Sequence, residues 1–391
     1  MKIETIRLKN FKAFKELELT DLPPLVIFVG ANGTGKSTIF EVFELLGRAL
    51  AGNVRTALAS KGGFKEVISR GQSGNIEIEL KFRLKIVDKK RLVTYHLEIG
   101  EENGQVIVER EILRYKRQSY GSPFHFLDFK RGEGYAIENE EDYVKRDEEL
   151  NRVREKLGSP DILAIKGLGQ FEKFRAANAF RNFIENWHVS DFHISAARPS
   201  QEAGFAEHLT PHGDNLPLVA QYIYEQHPEV FDTVLKKMAE RVPGIEKVEA
   251  KMTEDGRVVL KFSDGAFNDP FIARYVSDGT IKMFAYLMLL HDPKPHPLLC
   301  VEEPENQLYP ELLAEILEEF RLYAKKGGQV FITSHSPDLL NAADIEEVFW
   351  LIKKDGFTRV HRAADFPRIK AHYDEGATMG YIWATGLFKG I

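Results

Sequence analysis

The sequence predicts an α/β fold with mixed and parallel sheet, an antiparallel β subdomain and a helical insertion. Three observations carry this. Residues 25–29 form a continuous apolar run that enters a glycine-rich turn and then an apolar-periodic helix. Residues 75–86 and 92–115 alternate between apolar and polar side chains, as half-buried antiparallel strands do. From about residue 270 onward the pattern runs helix, strand, helix, strand, the rhythm of a parallel sheet.

The elements follow in order. Ile3, Ile6, Leu8 and Phe11, then Phe14, Leu17 and Leu19, are apolar with charges between them, which predicts a hairpin over residues 1–20. The run at 25–29 reads as a strand buried on both faces, and the helix after it as 37–50. A turn is expected at Asp88-Lys89-Lys90-Arg91. Residues 117–160 read as irregular and then as a strongly charged helix with a solvated face, without the heptads of a coiled coil. Helical patterns resume at 171–187 and 216–241. A strand pair is expected at 245–262 around Asp255-Gly256, and a second hairpin at 347–362 around Asp355-Gly356. This organisation predicts an N-terminal part at 1–85, a β and charged-helix insertion at 86–160, and a C-terminal part at 161–391.

Bulk properties narrow the function. The chain has 391 residues, 43% hydrophobic and 29% charged, enough for one large domain or two modest ones. A net charge of -6 and a pI of 6.1 argue against indiscriminate coating of nucleic acid, though not against a local basic patch. The single cysteine, Cys300, excludes an intrachain disulfide or a metal site built on several cysteines. Met1-Lys2-Ile3-Glu4 lacks the apolar core of a signal peptide, and no apolar run approaches the roughly 20 residues of a membrane span. The expectation is a cytoplasmic protein with no membrane association.

Gly30-Ala31-Asn32-Gly33-Thr34-Gly35-Lys36-Ser37-Thr38 satisfies G-x-x-x-x-G-K-[ST] between a buried strand and a helix. Glycines let the backbone wrap a phosphate with its N–H groups pointing inward, and the helix start adds its positive dipole end. Asn32, Gly33, Thr34, Gly35 and Thr38 are expected to line the phosphates. Lys36 would reach the β- and γ-phosphates, and the Ser37 hydroxyl would serve Mg²⁺. The fold class is thereby sharpened to a P-loop NTPase with ATP and Mg²⁺ as cofactors.

Three further segments extend this site. Pro297-Leu298-Leu299-Cys300-Val301-Glu302-Glu303-Pro304-Glu305 is an apolar strand ending in carboxylates. In a nucleotide site the first acid, Glu302, orients the metal, and the second, Glu303, polarises the attacking water. Cys300, inside that strand, reads as a small buried hydrophobe. Ser277-Asp278-Gly279-Thr280 opens a helix that is apolar nearly all round, so Ser277 and Gly279 stand where a phosphate can bind, although an ordinary N-cap has the same residues. A second Ser-Asp-Gly, at 263–265, is followed by Asn268-Asp269-Pro270 and reads as a hairpin turn. Val330-Phe331-Ile332-Thr333-Ser334-His335 is a third apolar strand, ending in a histidine that could touch a γ-phosphate. Ser336 and Pro337 start the next helix.

These motifs, in this order, resemble the ABC-ATPase heads of the SMC, RecF and OLD-type group, and in particular stand-alone bacterial ATPases related to OLD-family proteins. Leu8-Lys9-Asn10-Phe11-Lys12-Ala13-Phe14 looks like that group's opening near the nucleotide base, which implicates Asn10 and Phe11. Glu302-Glu303-Pro304-Glu305-Asn306-Gln307-Leu308-Tyr309-Pro310 looks like its acidic strand and D-loop, and His335 like its switch histidine. Gln170 is the candidate Q-loop glutamine, placed with Ser37 and Glu302 at the metal; Gln72 is the alternative. Two residues depart from the pattern: Glu302 stands where many such heads carry aspartate, and Tyr309 where OLD-like relatives often carry histidine.

The resemblance implies an ATPase in which the signature serine of one head faces the phosphate loop of another, so a homodimer or a higher homo-oligomer is expected, with Glu303, His335 and Lys36 as the catalytic group. OLD-family nucleases carry a Toprim domain after the ATPase, and the residues following His335 read only as a hairpin and a tail. Any cutting is therefore expected from a separate nuclease or effector. The glycine- and aromatic-rich tail at 376–388 reads as packing on its own core, with partner docking as the rival. The leading expectation is a DNA-associated sensor or motor in antiphage defence or genome maintenance (DNA repair), with Lys89, Lys90, Arg91, Arg114, Lys116 and Arg117 read either as DNA contacts or, equally well, as a solvated hairpin. The alternative is a nucleotide-gated scaffold with slow or absent hydrolysis. A membrane transporter's ATPase subunit fits the signature and the opening less well.

Overall fold

The computed structural model describes residues 1–86, 89–115, 124–138 and 149–390. The chain forms two compact units. The first is Met1–Trp187 with Glu346–Asp365, and the second is His188–Ile345 with Phe366–Ile391.

In the first unit, β1 (Ile3–Phe11) and β2 (Phe14–Leu19) make the expected hairpin, with Leu8 opposite Leu17. β3 (Leu25–Gly30) is buried at every position. β4 (Ile76–Ile86), β5 (Lys89–Glu102), β6 (Gln105–Tyr115), β7 (Phe124–Lys130), β8 (Glu133–Ile137) and β9 (Arg152–Lys156) join the hairpin in one antiparallel sheet, ordered β2-β1-β4-β5-β6-β7-β8-β9. Three details differ from the sequence reading. Residues 92–115 are not one strand, because Asn103 (φ 51°) and Gly104 (φ 77°) turn the chain between β5 and β6. Lys89, Lys90 and Arg91 belong to β5 rather than a turn, held by register with Lys85 and Leu84 of β4; Asp88 lies outside the described residues. Residues 152–156, expected in a charged helix, are an edge strand with Val153 opposite Ala136. Charges on such an edge disfavour pairing with another chain. The rest of that expected helix, 139–148, lies outside the described residues.

Aromatic packing ties helices to this sheet. Phe82 of β4 stacks on Phe180 with ring centroids 4.5 Å apart. Phe183 reaches Trp187 at 5.8 Å, and Trp187 reaches Phe43 at 5.2 Å. Helix Arg175–Glu185 thus lies between the sheet and helix Lys36–Ala51, whose Phe40 meets Phe28 of β3. Burying each such ring stabilises the unit by about 2–3 kcal/mol. Glu111 of β6 is fully buried and accepts hydrogen bonds from the Tyr95 hydroxyl (3.1 Å), the Ile165 N–H (3.1 Å) and the Ala164 N–H, satisfying the start of helix Ala164–Leu168. Its burial raises its pKa to about 7 despite those donors.

In the second unit, β10 (His188–Ser190), β11 (Gln201–Glu202), β12 (Ile245–Met252), β13 (Arg257–Asp264), β14 (Phe271–Ile272), β15 (Leu299–Glu302) and β16 (Val330–Ser334) form two sets. β10, β15 and β16 run parallel, and β11, β12 and β14 pair antiparallel with β13. The helical stretch expected at 216–241 is two helices, Leu216–Gln226 and Pro228–Arg241, because Pro228 cannot continue the first. Helix Asp278–Leu290 is apolar all round because it is surrounded. Phe284 meets Phe231 and Phe262, while Tyr286 meets Phe192 and Phe320.

The chain then returns to the first unit with β17 (Val348–Lys354) and β18 (Phe357–Arg362), joined at Asp355 (φ 53°) and Gly356 (φ 83°) as expected. β17 runs parallel to β3, with Trp350 beside Val29. The tail packs on the second unit: Met379 and Ile382 are fully buried, and a Cβ on Gly380 would meet the Pro337 carbonyl oxygen at 2.0 Å. Among the described residues no helix is long and apolar enough to cross a membrane.

Candidate nucleotide site

The first unit carries the phosphate loop. β3 ends at Gly30, and helix Lys36–Ala51 begins directly after Gly35. Gly33 and Gly35 have φ of 78° and 88°, the left-handed region that L side chains rarely adopt. A Cβ on Gly35 would also meet Ala13 Cβ at 3.0 Å and Thr358 Oγ1 at 3.2 Å. Thr34 closes the turn by donating its hydroxyl to the Ala31 carbonyl at 2.7 Å. The Lys36 ammonium curls back onto the Gly30 carbonyl at 2.9 Å and is buried, so the cation lies over the loop it would serve. Asn32, Gly33 and Ser37 are exposed and Thr38 is buried.

Sequence reasoning missed the brace behind this loop. The Thr358 hydroxyl of β18 donates to the Thr34 carbonyl at 2.7 Å, and its N–H donates to Ala13 at 2.8 Å. The C-terminal hairpin thereby holds both the phosphate loop and the opening hairpin, across a sequence gap that no local pattern signals. Asn10 has φ 56°, and its amide donates to the carbonyls of Ser73 (3.3 Å) and Asn75 (3.1 Å). Phe11 is fully buried. Gln170 is exposed and its amide donates to the Lys166 carbonyl at 3.3 Å, whereas Gln72 sits in a turn closed by its N–H to Ser69 at 3.0 Å.

The second unit carries the acidic strand. Parallel pairing sets Glu302 of β15 beside Thr333 of β16. Glu303 then adopts φ 39°, unusual for a side chain with a Cβ, while its N–H donates to the Thr333 carbonyl at 3.0 Å. The Glu303 carboxylate lies 3.1 Å from His335 Nδ1, and Asn306 donates to its other oxygen at 3.0 Å. Glu305, read from sequence only as part of a loop, is buried beneath the histidine. It accepts from the Ser334 hydroxyl (2.7 Å) and the His335 N–H (3.0 Å), and lies 3.5 Å from His335 Nδ1. The signal was present as the third acid of Glu302-Glu303-Pro304-Glu305. Cys300 is fully buried, as expected.

Ser277 caps its helix, its Oγ accepting from the Thr280 N–H at 3.2 Å. Asp278 is gripped by the Arg198 guanidinium and lies 3.4 Å from the Gln307 amide. Arg198 also donates to the carbonyls of Ala273 (2.9 Å) and Arg274 (3.1 Å), which pins the helix start from behind. Glu302, Glu303, Asp278, Arg198, Asp191 and Lys282 line one cavity of about 600 Å³. Lys282 was hidden within an apolar helix. Its ammonium donates to the Asn306 carbonyl at 2.7 Å, and burial lowers its pKa to about 8 against the pull of Glu305, Asp191 and Glu303.

Each unit by itself offers groups suited to a magnesium nucleotide. In the first, left-handed glycines, a buried lysine and a helix start offer N–H and ammonium donors to phosphate oxygens, and Ser37 offers a hydroxyl; in the second, Glu302 offers a carboxylate of the hard kind that Mg²⁺ takes. Of the basic residues noted for DNA, Lys90 is exposed and Arg91 lies over the Tyr115 ring at 5.2 Å. Lys116 and Arg117 lie outside the described residues.

The family described as "AAA domain, putative AbiEii toxin, Type IV TA system" matches residues 25–341. A DNA replication and repair protein RecF from Idiomarina loihiensis is 36% identical over 74 residues, 19% of each chain, so this chain spans about a fifth of that relative's length. The SMC head bound to the C-winged helix domain of ScpA superposes with a TM-score of 0.56 at 14% identity, covering 92% of this chain and 98% of that one. The SMC head domain from Thermotoga maritima gives a TM-score of 0.46 at 14% identity, over 93% and 99%. The chain has the P-loop fold seen in SMC heads, and it belongs to the family described as an AAA domain of the putative AbiEii toxin kind.

Proposed function

We propose that the chain binds Mg–ATP, closes as a head-to-tail dimer, and hydrolyses the nucleotide to reopen. One observation carries the hydrolytic part: pairing of β15 with β16 brings the Glu303 carboxylate within 3.1 Å of His335 at one strand edge. In this reading Lys36 neutralises the β- and γ-phosphates, lined by Asn32, Gly33, Thr34, Gly35 and Thr38. Ser37, Glu302 and Gln170 would hold Mg²⁺, which would supply neutralisation of the charge that develops on the phosphates. Glu303 polarises the attacking water, and Asn306 keeps its carboxylate in place. His335 meets the γ-phosphate, oriented by Glu305. Asn10 and Phe11 serve from behind, by shaping the turn at 68–75.

Each chain has one phosphate loop and one Ser-capped helix start, which supports completion of two sites by two copies. Ser277 and Gly279 of one copy would then contact the γ-phosphate held by Lys36 of the other. The helix that follows them is buried along its length and suits transmission of that contact to a bound partner. A DNA-associated role in defence or genome maintenance, acting with a separate effector, is supported by the AbiEii-type toxin in the family's description and by the short likeness to a DNA replication and repair protein.

The test is the solution mass of Glu303→Gln with Mg–ATP, beside phosphate release by the wild type with and without DNA. A mass that doubles with ATP in the variant, together with DNA-stimulated turnover in the wild type, is the expected result. A mass indifferent to ATP and no turnover would replace this reading with a nucleotide-gated scaffold.

A further inference from the structure

The parallel strands of the second unit have two ends. Glu302 and Ser334 close the C-terminal end; at the N-terminal end four chain segments bring together three histidines and an aspartate. His188 begins β10, His208 lies between β11 and helix Leu216–Gln226, Asp292 follows helix Asp278–Leu290, and His296 precedes β15. One ligand-type atom from each of His208, Asp292 and His296 lies within 4.8 Å of the other two. His208 Nδ1 is 2.6 Å from Asp292 Oδ2. The His296 ring lies 4.8 Å from that of His188 and 4.9 Å from that of His208. Asp292 and His296 are each 8% exposed, and His188 is 7% exposed with no hydrogen-bond partner for its Nε2 among the described residues.

The ligand atoms of His208, Asp292 and His296 make a compact donor set of nitrogen and oxygen that suits a tetrahedral divalent ion of the Zn²⁺ class. Each segment is anchored independently of any ion. Asp292 Oδ1 accepts from the Lys294 N–H at 2.8 Å, the Tyr323 hydroxyl donates to the His296 carbonyl at 2.7 Å, and the Asn215 amide donates to the His208 carbonyl at 2.9 Å. Such anchoring lowers the cost of ordering ligands. Asp292 and His296 also line a cavity of about 550 Å³, which gives an ion a way in.

We propose that His208, Asp292 and His296 bind one divalent transition-metal ion of the Zn²⁺ class, its fourth position taken by water from the adjoining cavity. The ion takes the place of the hydrogen bond between His208 and Asp292, binding His208 as the neutral imidazole with its remaining ring proton on the other nitrogen. Its role is structural: it clasps the loop bearing His208 to the segment between helix Asp278–Leu290 and β15. The site is independent of the nucleotide reading, because it lies at the other end of the strands.

The experiment uses the full chain, stripped with a chelator and titrated with Zn²⁺ or Co²⁺ in the absence of nucleotide. One Zn²⁺ per chain is expected, with a Co²⁺ visible spectrum of tetrahedral intensity and a higher melting temperature with metal than without. His208→Ala, in a half-exposed loop, should weaken binding at least about tenfold while the metal-free melting temperature holds. His193→Ala, in the exposed group Asp191–His193–His212, should leave binding unchanged. Absence of a tetrahedral Co²⁺ spectrum in the wild-type chain overturns the proposal whatever the variants do, as does Zn²⁺ affinity that survives both His208→Ala and Asp292→Asn.

Discussion

The tripeptide Ser-Asp-Gly occurs twice in the second unit, at residues 263–265 and 277–279, and takes two different structures. In the first copy Ser263 and Asp264 end β13. The Asp264 carboxylate accepts from the Ala266 N–H at 2.9 Å, and the chain turns toward β14. In the second copy Ser277 is extended (φ -61°, ψ 152°) and caps a helix, while Asp278 is held by Arg198. The residues that follow decide the outcome. Asn268-Asp269-Pro270 cannot continue a helix, whereas Thr280 and the ten residues after it, nine of them apolar, can, and the unit buries them. A short polar motif therefore has no structure of its own; the burial available downstream selects it.

The comparison can be broken most strongly by activity. Ser277→Arg should lower ATP turnover about 100-fold, the scale for losing a donor aimed at developing charge, while Ser263→Arg should leave it within about twofold. Equal phosphate-release rates for the two variants would remove the functional distinction.

A second difference is electrostatic. Five places after the serine stands buried Lys282 in one copy and exposed Asn268 in the other. Burial holds the folded Lys282 pKa at about 8, below the usual 10.5 of a lysine. Between those values the unfolded chain holds a proton that the folded chain has released, so stability rises with pH across that window. We expect a gain of about 2 kcal/mol from pH 8 to pH 10, absent in Lys282→Met. Urea unfolding at several pH values measures it, and parallel pH profiles for variant and wild type would count against the assignment.

The glycines sharpen the contrast further. A Cβ on Gly279 meets the Gln307 carbonyl oxygen at 2.9 Å, which is backbone. On Gly265 it meets the tip of the Glu246 side chain at 2.1 Å, which can swing away. Gly279→Ala should cost about 1–2 kcal/mol and Gly265→Ala less than about 0.5 kcal/mol, read from denaturant midpoints. The smallest effect expected is the cap itself: Ser277→Ala should lose about 1 kcal/mol, and Ser263→Ala less than half of that, in the same assay.

Much of the site was legible because its chemistry is local. The phosphate loop needs glycines, a lysine and a hydroxyl within nine consecutive residues, flanked by a buried strand and a helix, and all of that is contiguous in Gly30 to Thr38. The acidic strand and the histidine strand were legible for the same reason: apolar runs that end in a charged or ionisable residue. The charged stretch at 152–156 misled because charge density resembles a solvated helix, and only pairing with β8 makes it a strand.

By itself, then, the sequence determined the P-loop fold class, the opening hairpin, the phosphate loop, the helix that follows it and the two buried strands of the second unit, since each depends on neighbours within a few residues. Tertiary structure alone decided that Thr358 braces the phosphate loop from more than 320 residues away, that Glu305 lies under His335, that Lys282 enters the acidic cavity, and that three histidines and Asp292 converge at the far strand ends. Those contacts join segments whose separation along the chain carries no periodic or compositional signal. They form only once burial within each unit has brought those segments together.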